Sequence, residues 1–142
     1  MRNDLPSLND GKAMAQAAHA ANNLDGQWGL NRGVIEWKKE ATNFGTTIVL
    51  SATKDEIIHT LKRAQMREGT VPFGPVWDDT YPYNTTTEIA ALIPKKVHTA
   101  PPIVKEDNRV VLFRRELTCA YILVADGSPD QVELVGEYPL HP

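Results

Sequence analysis

Lys12, Gln16, His19 and Asn23 stand at i, i+4, i+7 and i+11 in the run NDGKAMAQAAHAANN, residues 9–23. On an α-helix that spacing stacks an ammonium, an amide, an imidazole and a second amide along one stripe. The run predicts that helix: Asn9 or Asp10 can accept from its first free backbone N–H groups, alanine dominates the residues after them, and no proline interrupts it. Met14, Ala17, Ala18 and Ala21 fall largely opposite, small enough to let the helix approach a sheet closely. A solvated face is the ordinary meaning of such a stripe, but solvated faces are rich in Glu and Lys, and this one has no carboxylate between Asp10 and Asp25. The chemistry open to it is contact with an anion. Arg2, Arg32, Lys38, Lys39, Lys62, Arg63 and Arg67 join Lys12 as the cations from which a local patch for a polyanion would be built.

At 142 residues, 23% charged and 42% hydrophobic, the chain has the make-up of one soluble globular domain with room for an appendage. A formal net charge of −3 excludes a generally basic nucleic-acid binder, but the charge is uneven. Residues 1–70 carry nine Lys/Arg against eight Asp/Glu, and residues 71–142 six against ten. No apolar run is long enough to span a bilayer, and the N-terminus lacks a basic segment followed by an apolar core; a cytoplasmic address without membrane contact is the expectation. The single cysteine, Cys119, lies in TCAYILVA and reads as a small buried hydrophobe. His19, His59, His98 and His141 form no close ligand spacing and Asp78-Asp79 alone is a weak metal signal, so neither a metal nor another cofactor is expected.

Further elements must position these groups. After the first helix, residues 34–39 add a short helical turn or two. Gly45 to Leu50, rich in β-branched residues, predicts a buried strand. Thr53 followed three residues later by Glu56 is a capping box that opens a second amphipathic helix, exposing Lys62, Arg63 and Arg67 and ending near Gly69. Val71 to Trp77 contains two prolines and suits an edge strand or an irregular segment; Asp78 to Asn84 is turn-forming, and Thr85 to Ile93 predicts a strand. Lys95 to Asn108 reads as a connector. Arg109–Arg114 and Cys119–Val124 predict the two arms of a hairpin, Gly127 to Asp130 a turn, and Gln131 to Val135 a further short strand. Trp28, Trp37 and Trp77 read as core or boundary residues rather than base-stacking platforms. The fold class is α/β, a mixed β-sheet flanked by helices on both faces with an additional C-terminal hairpin, divided as a core over residues 1–94 and a β-rich extension over 95–142.

The run Arg2-Asn3-Asp4-Leu5 followed by Gly11-Lys12, Ala15-Gln16 and His19-Ala20 resembles the R-x-D-L and G-K-x-x-A-Q-x-x-H-A motifs of the type 2 peptidyl-tRNA hydrolase family. Trp28, the run TTIVL, the helix opened at Thr53 and an aspartate after the next strand come in the family's order, so the resemblance covers roughly residues 2–94. It implies hydrolysis of the ester joining a peptidyl or N-blocked aminoacyl group to the tRNA 3′ end, with that tRNA end as partner. Carried over by position, Lys12 is the site lysine with Gln16 and His19 beside it, and Asp79 stands for the aspartate that opens the family's D-A-G-x-T-Q loop. Tyr83 and Asn84 then occupy the threonine and glutamine positions, and Thr80-Tyr81 replaces the small pair. Matching Asp78 instead puts Pro82 at the threonine position and loses a hydroxyl.

Ester hydrolysis needs an activated water and a place for the negative charge that grows on the carbonyl oxygen. In the implied arrangement Asp79 orients or deprotonates water, Lys12 stabilises the developing charge or an adjacent phosphate, and Gln16 and Tyr83 position the ester. His19 is either a base or a structural histidine. Asn84, Asn23, Arg32, Lys62 and Arg63 are the candidate substrate contacts. The family has a central strand before R-x-D-L, where this chain has Met1. Unpaired backbone would be left buried there, so a C-terminal strand, Val110–Phe113 or Tyr121–Val124, or a partner chain, such as the second copy of a homodimer, is expected to fill part of the slot beside the run near Ile48. The alternative to an enzyme is a non-catalytic module of the same fold that recognises RNA, a nucleotide or a protein.

Overall fold

The computed structural model describes residues 1–5, 8–43, 45–67, 71–124 and 129–141. Helix α1 runs Asp10–Trp28, and Asn9, in extended backbone, caps it by accepting from the Lys12 backbone N–H at 3.0 Å. There follow α2 (Arg32–Asn43), α3 (Lys54–Met66), β1 (Phe73–Thr86), α4 (Thr87–Leu92), a 3-10 turn (Lys95–Val97), β2 (Ala100–Val104), β3 (Arg109–Ile122) and α5 (Pro129–Val135). The strands form an antiparallel sheet in the order β1-β3-β2, so helix and sheet combine as the α/β class requires. Two compact units divide the chain: Met1–Val76 with Thr118–Pro142, and Trp77–Leu117.

In the first unit α1 packs through Ala13, Gln16, Ala20 and Leu24, while Met14 is 70% exposed. The packing face is thus rotated from the expected one: Gln16 turns inward, Met14 and Ala18 outward. The cause is a partner for the amide. The Thr118 hydroxyl donates to Gln16 Oε1 at 2.7 Å, and a buried amide that is hydrogen-bonded escapes the penalty of an unpaired one. The box at the start of α3 forms in full, Thr53 accepting from the Glu56 N–H while Glu56 accepts from the Thr53 N–H. Ile57, Thr60 and Ala64 are buried, and α5 lies against α3. Arg63 and Arg67 are not a solvated face. They pair with Glu133 in α5 and Glu137 just beyond it, at 3.2 to 3.7 Å, and only Lys62 of the three cations is exposed.

Residues 1–3 form a short parallel ladder. The Met1 amino group donates to Leu50 O at 2.8 Å, the Ala52 N–H to Met1 O and the Asn3 N–H to Ala52 O, each at 2.9 Å. On the other side the Arg2 N–H donates to Thr118 O at 3.1 Å. The R-x-D-L run is a clasp: Arg2 grips both Asp4 oxygens at 2.6 and 3.0 Å, and Asp4 accepts from the Lys54 N–H at the start of α3. The Arg2 guanidinium holds the Asp4 carboxyl below the usual carboxylate range, against a smaller opposing effect of burial. A lowered folded value means stability that is present above the unfolded value, roughly pH 4, and lost as the pH falls through the folded one. The stability gap between the parent and Asp4→Asn, read by urea unfolding, is therefore level above about pH 5 and closes below about pH 4. With the Asp4 side chain 38% exposed, the charge-pair part of that gap stays within about 1 kcal/mol.

Several local expectations are corrected. Thr46 to Val49 forms no strand, and Ile48 is 70% exposed. Neither C-terminal run pairs with residues 46–50: residues 109–114 and 119–124 are not two hairpin arms, since Arg109–Ile122 is one continuous strand in the β1-β3-β2 sheet, and Leu50 instead bridges Leu140. Asp78 to Asn84, turn-like by composition, lies inside the equally long β1. Pairing with β3 outweighs local turn propensity there, and as an edge strand β1 tolerates Pro75 and Pro82. Residues 87–92 are helix where a strand was expected, since Thr86 caps them by accepting from the Ile89 N–H. The segment read as a connector contains β2, and residues 131–135 are helical. The expected stops at Gly69 and at Gly127-Ser128 lie outside the described residues.

The second unit is built on the β2–β3 hairpin, with Ala100 opposite Phe113 and Val104 opposite Val110. Asp107 and Asn108 turn it in left-handed backbone at φ 61° and 62°, a conformation short polar side chains tolerate. Asn108 also ties in α4, accepting from the Thr87 hydroxyl and donating to Glu88. Tyr81, Val110, Val111, Leu112 and Leu117 are buried.

Candidate functional site

Of the α1 stripe, Lys12 and Asn23 are half-buried, His19 is exposed and Gln16 is 5% exposed. The stripe therefore splits, with Gln16 spent on Thr118 and the other three on one flank of the helix. Lys12 sits in the first turn, at the positive end of the helix dipole, where a cation opposes helix stability by about 0.3–1 kcal/mol. An anion brought to that end meets the ammonium together with the dipole and the first-turn N–H groups. His19 follows about 10 Å further along the axis at about 1.5 Å per residue, so Lys12 and His19 do not converge on one reacting atom. Arg32 and Lys62 are exposed on α2 and α3, and Arg63 is tied to Glu133 and Glu137.

The remaining candidates belong to the second unit. Asp79 Oδ1 lies 3.2 Å from Arg115 Nε, and the Arg115 guanidinium stands 5.1 Å from the Trp77 ring. Tyr83 has the Arg114 guanidinium 4.6 Å from its ring, and Arg114 reaches the buried Glu116 at 3.1 Å. Asp79 and Tyr83 are thus held by different arginines, and Asn84 is exposed. Asp78 instead accepts from the Thr80 N–H. Trp77, 43% exposed, is a boundary residue; the Arg115 contact on its ring was not legible in the sequence, because an arginine on another strand leaves no local signal of it.

A cavity of about 890 Å³ occupies the first unit. Ala17, Ala20, Ala21 and Leu24 of α1 and Trp37 of α2 line one side, Ile57 and Leu61 of α3 another, and Cys119 to Val124 and Thr46 to Leu50 supply backbone walls. At 100° per residue the α1 positions that line it lie on the flank of the buried stripe away from Lys12. Burial pushes the Cys119 thiol up to about 11, so it is protonated at neutral pH and is no nucleophile. Gly45, just before the Thr46 to Leu50 wall, is in left-handed backbone at φ 71°, and an added Cβ would come within 2.4 Å of the Trp37 ring, whose indole N–H donates to Thr46 O at 2.8 Å. Gly45→Ala is expected to cost at least about 1–2 kcal/mol, read by urea unfolding together with a shift in tryptophan emission.

Among the described residues no group of three or more His, Cys, Asp or Glu side chains could hold a metal ion, and no helix is long and apolar enough to cross a membrane. No protein-family model, curated protein or solved structure matches the chain.

Proposed function

We propose that the chain hydrolyses the ester joining a peptidyl or N-blocked aminoacyl group to the 3′ end of tRNA, in the cytoplasm with the translation machinery. Lys12 carries this reading: it is a half-buried cation at the wrong end of a helix for stability and the right end for an anion. The residues that resemble the hydrolase motifs support it by dividing sensibly between structure and chemistry. Arg2 and Asp4 clasp the start of α3, Gln16 anchors α1 to Thr118, and Lys12, His19 and Asn23 make the substrate flank of the helix. In this reading Lys12 stabilises the oxyanion or the terminal phosphate. Release of N-acetylated amino acid from N-acetyl-aminoacyl-tRNA by the purified protein tests the reading, and a folded protein that releases none refutes it.

One observation favours a second reading, a module that binds RNA, a nucleotide or a protein without turnover. Asp79 to Asn84 lies within the regular strand β1, where the family resemblance implies a loop. Retention of labelled tRNA on the protein without ester cleavage would select it.

A further inference from the structure

In the second unit the edge strand β2 and the helix α4 are apolar and face solvent. β2 is exposed from Pro101 to Val104, and every residue of α4, TEIAAL, is at least partly exposed. Leu92 is 82% exposed and Val104 71%, with Ile89 and Ile103 at 52% each. Exposed apolar surface of this kind, bordered by charge, marks an interface.

The bordering charge is sorted by sign. At the hairpin turn, Asn108 holds the start of α4: its backbone O accepts from the Thr87 N–H, and its side chain bonds the Thr87 hydroxyl and Glu88. That end therefore collects the exposed Glu88, Glu106 and Asp107 against Lys105 and Arg109, three carboxylates to two cations. At the other end of β2 the Thr99 N–H donates to Phe113 O, and the 3-10 turn leading there carries the exposed Lys95 and Lys96. Arg114 and Arg115 beside Phe113 are already matched by Glu116 and Asp79. The five residues of β2 separate an end of net −1 from an end of net +2 by about 16 Å, at about 3.3 Å per residue.

We propose that this surface pairs with the same surface of a second copy of the chain, the two β2 strands antiparallel about a two-fold axis. Lys95 and Lys96 of each copy then meet the Glu106 and Asp107 end of the other, with the apolar residues between them, the self-matching that an isologous contact requires. A uniformly acidic or basic partner would set like charge against one of the two ends. Pro101 and Pro102 lack the N–H that a strand added at this edge would need, so side chains make the contact. Apolar burial supplies the affinity, and the end charges fix the direction. None of these residues lies on the Lys12 flank of α1, so the proposal stands or falls independently of the hydrolase reading.

Sedimentation of the full chain over about 1–200 μM, which brackets micromolar dissociation constants, is expected to show a monomer–dimer equilibrium. Leu92→Lys should weaken the dimer by at least about tenfold. Lys95→Glu with Lys96→Glu makes both ends acidic, and Glu106→Lys with Asp107→Asn makes both basic; each pair should weaken the dimer by at least about tenfold at low salt. All four substitutions together should restore it, because the reversed ends again match. Urea unfolding checks that each variant is folded. A chain that stays monomeric throughout overturns the proposal and leaves the surface to a different protein. A dimer indifferent to Leu92→Lys, or not restored by the four substitutions, overturns it as well, because the copies then meet through another face or in another direction.

Discussion

Leu134→Ala is expected to lower stability by about 3–5 kcal/mol, a large share of the 5–15 kcal/mol typical of a folded domain. Leu134 is 0% exposed on α5, a helix of 7 residues that is far too short to persist alone. What holds α5 to α3 is therefore tertiary. The visible ties are polar, Arg63 and Arg67 to Glu133 and the Thr60 and Tyr138 hydroxyls 2.8 Å apart. Glu133 is 67% exposed, and pairs of that kind contribute up to about 1 kcal/mol. Burial of the leucine outweighs them, because its loss removes transfer free energy and leaves a void beside a unit that already has a cavity. Urea unfolding of Leu134→Ala beside Glu133→Ala checks this. Equal losses in the two variants would mean that the ion pairs, not the apolar contact, seat the helix.

Lys12→Ala is expected to reduce release of N-acetylated amino acid from tRNA by at least about a hundredfold, the scale of a lost charge-stabilising group, while the protein remains folded. Removing a cation from the first turn of α1 relieves a conflict with the helix dipole of about 0.3–1 kcal/mol, and the contact that Lys12 makes in the structure is lost with it, so the change in stability should stay within about 1 kcal/mol. A merely structural lysine would lose stability and turnover together. Lys12→Arg keeps the charge and should retain more activity than Lys12→Ala. Gln16→Ala, by contrast, should act mainly on stability, because its amide receives the Thr118 hydroxyl inside the core. If Gln16→Ala lost turnover without loss of stability, the division of roles along α1 would be wrong.

The candidate site was legible in the sequence to the extent that it is local. Asn9, Thr53 and Glu56 announce helix starts because a cap is an interaction between near neighbours. The placement of Lys12, His19 and Asn23 along one flank follows from helical spacing. The inward turn of Gln16 was not legible because its partner is 102 residues away, and the same distance effect hid the Arg63 and Arg67 pairs with residues near the C-terminus. Asp79 could be named as a carboxylate after the prolines, but not as the partner of Arg115, for that pairing depends on how two long strands register.

By itself the sequence determined the α/β class, the starts of α1 and α3, a helical turn inside α2, and the lysine at the head of α1, since short-range backbone geometry and capping decide these. Tertiary structure alone decided which face of α1 is buried, that residues 109–122 form one strand and not two, that residues 46–49 form no strand beside the cavity, and that residues 77–117 close on themselves as a unit. The physical reason is the range of the interaction. A β-strand has no partner within itself, so where it starts, whether it turns and what it leaves empty are settled by backbone groups brought in from far along the chain.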